Sequence, residues 1–386
     1  MHRHLMLVLM LYIVVFGLIS ASTAGAENRQ ALGVTLDSLR QVYGFPGATA
    51  AYALPDGSVE TAATGLADVE ADIPMTRESR MLAASIGKMF VGATAADLAR
   101  EGRLGLDDPI AKWLGDRPWL ERLPNADSIT VRHLLTHTSG IGNHVENPAF
   151  AEAFSEVVQH PDSTLAPAEL VAFVLDKPPS FSPGDGWGYS DTGYLLIGMI
   201  IETATGRSYY EEVTERFLRP VGLDDTAPSE RRLLPGLAAG YVSPENPFGL
   251  QPKTTVAPGI MGWNPAIEWT GGGLASTSRD LAVWAKALFE GPLADSVLTS
   301  APISPDVPGL GYGLGVAIHP GGEAGPTYGH AGWIPGYCSS LRYYADHGVA
   351  VAFQINTDVG IVDHSTPVME EMERRLAQIA LRAAGK

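Results

Sequence analysis

Two strand–turn–strand patterns, one near each end of the chain, limit its fold more than any other feature. Ala48–Leu54 and Val59–Gly65 flank Pro55-Asp56-Gly57-Ser58, and 337–344 and 349–357 flank Ala345-Asp346-His347-Gly348. Turn residues placed so briefly between β-rich runs read as hairpins, whose strands are antiparallel. A third strand-like run spans 312–318. Amphipathic helices stand beside the hairpins. The first, over 27–44, carries Leu32, Leu36, Leu39 and Val42 at helical spacing, and the last runs over about 367–384 from Pro367. Ser85–Leu104 reads as a buried helix. Thr277-Ser278-Arg279-Asp280 reads as a capping box that opens a helix ending near Phe289. Adjacent antiparallel pairs argue against a parallel doubly wound sheet. The expected class is α+β: a helix-covered antiparallel sheet built from both chain ends (about 27–105 and 261–386), with a mainly helical region over about 106–260. An apolar content of 45% with 18% charged residues is enough for a large core.

Residues 1–26 read as a secretory signal peptide and are set apart from the fold. Arg3 precedes an apolar run, Leu5–Ile19, and the stretch closes on Ala24-Gly25-Ala26 before Glu27. An uncleaved N-terminal anchor is the rival reading. No later apolar run is long enough to span a bilayer, so the chain from 27 to 386 is expected to be soluble, periplasmic or secreted. The net charge of −17 disfavours nucleic acid and anionic lipid as partners. Cys338 is the single cysteine, so there is no internal disulfide and no cysteine metal cluster.

Three short elements could carry chemistry. Ser85-Ile86-Gly87-Lys88 puts a hydroxyl and an amine three residues apart on one helix face. A buried amine can act as the base that a serine nucleophile needs. The alternative, a surface Ser with a snorkelling Lys, fits poorly between Met81-Leu82-Ala83-Ala84 and Met89-Phe90-Val91. Tyr189-Ser190-Asp191 follows a Pro/Gly loop, where a phenol could relay a proton. Most tyrosines are simply packed. His330-Ala331-Gly332-Trp333 lies on an expected sheet edge between Gly329 and Gly336, where glycine marks close approach. The bland alternative there is a histidine satisfied in the core.

In this order and spacing the three elements resemble the penicillin-binding protein and serine β-lactamase superfamily, nearest its class C β-lactamase, D-alanyl-D-alanine carboxypeptidase and family VIII esterase branch. His133-Leu134-Leu135-Thr136-His137-Thr138-Ser139-Gly140 and Gly271–Leu288 add to the likeness. The resemblance implies a helix-covered sheet with the site between it and a helical region. It implies Ser85 as the acylated nucleophile, Lys88 as proton acceptor or relay, Tyr189 handling the leaving group's proton, and His330 where relatives carry the Lys of K-T-G. The backbone N–H groups of Ser85 and Trp333 would form the oxyanion hole. No cofactor or metal is implied.

Two departures bear on substrate. Asp191 stands where the motif usually has Asn, and a carboxylate near Lys88 favours the ammonium. Ala331 replaces the motif hydroxyl that could hold a substrate carboxylate. Ala331, Gly332 and Arg342 are the substrate-binding candidates, and only His330 and Arg342 remain nearby as cations. His330 is expected to titrate near neutral pH if it serves the substrate. His133 and His137 have the spacing of a zinc pair without the Glu of H-E-x-x-H, and a metal is not expected. The expected activity is acyl-serine hydrolysis of esters or small amides. A carboxypeptidase or β-lactamase is the alternative, and a non-catalytic sensor on the same fold a more distant one.

Overall fold

Gly47–Ala53 (β1) and Val59–Asp68 (β2) pair antiparallel with Ala50 opposite Ala62. Their turn closes where the Leu54 N–H donates to Ser58 O and the Asp56 carboxylate accepts from the Ser58 N–H, with Gly57 at φ +85°. The computed structural model describes residues 29–246, 248–303 and 308–385, so the leader expected over 1–26 lies outside the described residues. Seven further strands complete one sheet: β3 (Ile73–Pro74), β4 (Ala301–Pro302), β5 (Gly311–Tyr312), β6 (Ala317–Gly322), β7 (Gly325–Ile334), β8 (Tyr337–Tyr344) and β9 (Val349–Ile355). Their order is β3-β2-β1-β9-β8-β7-β6-β5-β4, and the pairings are antiparallel. The two ends of the chain meet at β1 and β9, where Ala51 lies opposite Ala352. The protein is therefore an α+β structure with the expected antiparallel sheet.

Helices cover both faces. On one side α1 (29–43) and α5 (Val368–Ala383) bury Leu32, Leu36, Leu39, Met372 and Leu376 against Tyr52, Val351 and Phe353. On the other, α4 (Ser278–Phe289) lies over Ala51, Ala53, Ala350 and Ala352. Alternation along β1 and β9 sends Tyr52, Val351 and Phe353 to one face and Ala51, Ala53, Ala350 and Ala352 to the other, and these small side chains let α4 approach closely. α4 then stacks Trp284 on Phe90 of α2 (Gly87–Arg100), centroids 4.1 Å apart, which ties the helix behind Ser85 to the sheet layer. The middle of the chain supplies short helices, including Val131–Leu135 and Pro148–Gln159, and the longer α3 (Asp191–Thr205).

Four local expectations need correction. Val42 is 68% exposed, because it sits about 80° from the Leu32–Leu36–Leu39 stripe at 100° per residue. Residues 312–318 form two short strands, β5 and β6. Between them the Leu314–Gly315 backbone lies against α2, where a Cβ on Gly92 would come 1.9 Å from Leu314 O. The helix expected from Ser85 begins at Gly87, after a 3₁₀ turn over Ala84–Ile86. Only half the capping box forms at Thr277. Its hydroxyl accepts from the Asp280 N–H, while the Asp280 carboxylate accepts from the Asp225 N–H and the Thr226 hydroxyl.

Candidate active site

The Ser85 hydroxyl is presented by that 3₁₀ turn, which Ala84 enters at φ +51°, a conformation costly for a residue with a Cβ. Neighbouring backbone holds the turn. The Ala83 N–H donates to Leu274 O, and Ser339 Oγ donates to Ala83 O at 2.9 Å. Gly332 of β7 presses on it from the sheet. A Cβ there would lie 2.3 Å from both Ala83 O and Ser339 Oγ. The Gly332–Trp333 backbone, half of the candidate oxyanion hole, therefore runs beside the Ser85 turn.

Lys88, the second residue of α2, has a fully buried side chain. Its Nζ donates to Ser85 Oγ at 3.1 Å, to Asp191 Oδ1 at 2.5 Å and to Gly271 O. Burial alone would push the ammonium's pKa down. The Asp191 carboxylate, followed by Tyr189, outweighs it, and the net shift is upward. Asp191 itself is held below the usual carboxylate range because Lys88 overcomes the effect of its burial. Tyr189 OH donates to Ser85 Oγ at 2.9 Å, and burial pushes its own pKa up. Ser85 Oγ thus accepts two hydrogen bonds, one from a committed cation and one from a neutral phenol.

Behind these groups stands an aromatic shell that joins His137 and Tyr189 to Tyr312, which no motif singled out. The His137 ring lies 4.3 Å from that of Tyr189 and 4.5 Å from that of Tyr312, and its Nδ1 accepts from the Ser190 N–H. Burial pushes its pKa well below 6.5. His133 instead accepts from the Thr130 N–H, so the two histidines do not converge. Among the described residues no three His, Cys, Asp or Glu side chains are grouped as a metal ion would need.

His330 is 6% exposed. Its Nε2 lies 2.8 Å from Tyr312 OH and its Nδ1 2.5 Å from Ala331 O. Burial pushes its imidazolium down to about 3, and the nearby Lys88 charge acts in the same direction. The expected ionisation near neutral pH is therefore corrected: His330 is neutral there and lends no positive charge.

Ser85, Tyr189, Asp191, His330, Ala331, Gly332, Trp333 and Arg342 all line one cavity of about 830 Å³. Arg342 faces it, yet Nη2 pairs with Glu373 at 3.2 Å. The only signal for Glu268, Asn143 and His144, which also line the cavity, was their place beside the Gly271 and His137 stretches. Asn143 Oδ1 accepts from the Asp191 N–H at 3.2 Å, and His144 Nδ1 meets Thr192 Oγ1 at 3.0 Å.

A family profile described as Beta-lactamase matches residues 35–371. The chain is 28% identical over 309 residues to penicillin-binding protein 4* of Bacillus subtilis (strain 168), covering 76% of this chain and 64% of that protein. It is 34% identical over 170 residues to Esterase EstB of Burkholderia gladioli, 42% of each. The matches thus span less than two thirds of both curated relatives. A solved structure of a D-stereospecific amidohydrolase from Streptomyces sp. superposes with a TM-score of 0.73 at 32% identity, covering 86% of this chain and 94% of that one.

Proposed function

The chain belongs to the beta-lactamase family, and from that premise we propose that it is a serine hydrolase acting through an acyl-Ser85 intermediate on esters or small amides. The observation that carries this reading is the convergence of Lys88 Nζ and Tyr189 OH on Ser85 Oγ, 3.1 and 2.9 Å away, at the wall of a cavity. Asp191 keeps Lys88 protonated, so the lysine serves as a fixed positive charge. Tyr189 is the group that can turn from donor to acceptor. As Ser85 Oγ bonds to the substrate carbonyl carbon, its proton passes to the Tyr189 oxygen and the phenol's own proton passes to the leaving group. Water reverses the relay in deacylation: its proton goes to Tyr189, and Tyr189 returns one to Ser85. The Ser85 and Trp333 N–H groups take the oxyanion.

The likeness to penicillin-binding protein 4* keeps a carboxypeptidase or β-lactamase as the second reading. Among the described cavity residues, however, Arg342 is paired with Glu373, and Lys88, buried behind Ser85, is committed to Asp191. Export to the periplasm or medium belongs to the same proposal. It is checked by the N-terminal residue of the extracytoplasmic protein, Glu27 if cleavage follows Ala26. The hydrolase reading itself is tested with a fluorophosphonate probe and p-nitrophenyl butyrate. Ser85 is the labelled residue, and Ser85→Ala lowers kcat by at least about 10³-fold. Activity within tenfold of wild type in a clean preparation refutes it.

A further inference from the structure

Glu268 follows the Pro265–Ile267 3₁₀ turn and leads into a second one, Trp269–Gly271, whose last carbonyl receives Lys88. Its carboxyl lies against the Ser85 turn. A Cβ on Gly272 would come 2.0 Å from Glu268 Oε1 and 2.5 Å from Ala84 O, and a Cβ on Gly87 would come 1.7 Å from Gly272 O. Oε2 is sealed from solvent and has no hydrogen-bond partner. What remains exposed of the residue faces the same cavity as Ser85.

The groups around this carboxyl satisfy it only in part: the Gly273 N–H lowers its pKa, and Oε2 is left without a partner. Lys88 is engaged by Ser85, Asp191 and Gly271. Asp191 is itself an anion, and the Tyr210 hydroxyl, buried nearby, also lacks a partner. Elsewhere on the cavity wall Arg342 is paired with Glu373, and Glu146 and Glu370 add negative charge. Burial of this carboxylate outweighs the pull of the Lys88 charge and of the Gly273 N–H, and pushes Glu268 up to about 7. Apolar surface adjoins it: Ile267 is the preceding residue. Phe150 and Phe154 pack edge to face on Phe248, and Phe154 packs likewise on Trp263.

We infer that Glu268 recognises a cationic amine carried by the substrate, and that the cavity takes primary amines bearing an apolar or aromatic group. The inference rests on the hydrolase reading for calling the ligand a substrate, but the binding stands without it. The ligand's ammonium adds positive charge from the cavity side of Glu268, and its apolar body covers the phenylalanine and tryptophan wall.

Calorimetry with 2-phenylethylamine and its neutral N-acetyl derivative tests this on the wild type, Glu268→Gln and Glu146→Gln. The wild type binds the amine at least about tenfold more tightly than the neutral analogue at pH 8, the scale of a charge-assisted contact. Glu268→Gln loses that preference and Glu146→Gln keeps it. In the wild type the preference also fades as pH falls from 8 to 5.5, because Glu268 takes up a proton while this amine stays charged. That arm needs no variant. Equal binding of the two ligands, no measurable amine binding, a preference that survives in Glu268→Gln, or one lost only in Glu146→Gln overturns the inference. Hydrolysis of p-nitrophenyl butyrate by the same preparations separates the two proposals. Hydrolysis without amine preference removes the inference alone, and amine preference without hydrolysis removes the hydrolase reading alone.

Discussion

Lys88 Nζ lies 2.5 Å from Asp191 Oδ1, and the lysine side chain is wholly buried. The ion pair joins the helix behind the nucleophile to the first residue of α3, 103 positions away. It also decides that the amine next to Ser85 is a cation.

Asp191→Asn leaves that cation buried without its partner, at a cost of about 3 kcal/mol at pH 7. In the variant, burial depresses the Lys88 pKa below its unfolded value. The unfolded chain then binds more protons, and stability recovers as pH rises. Urea denaturation at pH 7 and pH 9 measures both effects. A deficit that grows with pH contradicts this account of the pair.

Tyr189→Phe removes the relay atom and keeps the ring packed beside His137. We expect kcat to fall about 10²- to 10⁴-fold, with little change in KM or Tm. If kcat stays within tenfold, the Ser85 proton leaves by another route.

Acid stability follows from buried histidines. Burial holds His330 down to about 3, His144 down to about 4 and His137 well below 6.5. Between those values and 6.5 the unfolded chain binds more protons, so stability falls as pH drops through that window. Each fully titrating group contributes a slope of roughly 1.4 kcal/mol per pH unit. Glu268, raised to about 7, acts in the opposite direction between its unfolded value and 7. Three histidines against one carboxyl give a net loss from pH 6.5 to 5, read from urea midpoints. His330→Gln flattens that loss, yet its kcat/KM profile gains or loses no ionisation near neutral pH, since His330 is already neutral there.

Substrate charge gives a further test. With Arg342 held by Glu373 and Ala331 lacking a hydroxyl, the site has little to offer a substrate carboxylate. A D-Ala-D-Ala peptide amide should exceed the free acid in kcat/KM by at least about tenfold, or roughly 1.4 kcal/mol. If the free acid is the better substrate, Arg342→Ala shows whether that side chain leaves Glu373 to bind it.

Local physics was legible in the chain. The Pro55–Ser58 and Ala345–Gly348 turns, the Leu32–Leu36–Leu39 stripe and the Ser-x-x-Lys spacing each depend on residues close in sequence, and they identify the antiparallel sheet and bring Ser85 beside Lys88. Charge state was not legible, because it depends on what surrounds a group after folding. Asp191 was visible as a carboxylate in an unusual place, but its 2.5 Å contact with Lys88 required α3 to dock against α2. His330 looked like a neutral-pH switch by residue type. Desolvation, seconded by the Lys88 charge, makes it a fixed neutral group, with Tyr312 OH of β5 2.8 Å away. Arg342 looked free until α5 brought Glu373 to it. Glu268 carried no motif at all. Its unsatisfied oxygen exists because the Gly271–Gly273 backbone packs against the Ser85 turn, an arrangement set by tertiary contacts and invisible to any spacing rule.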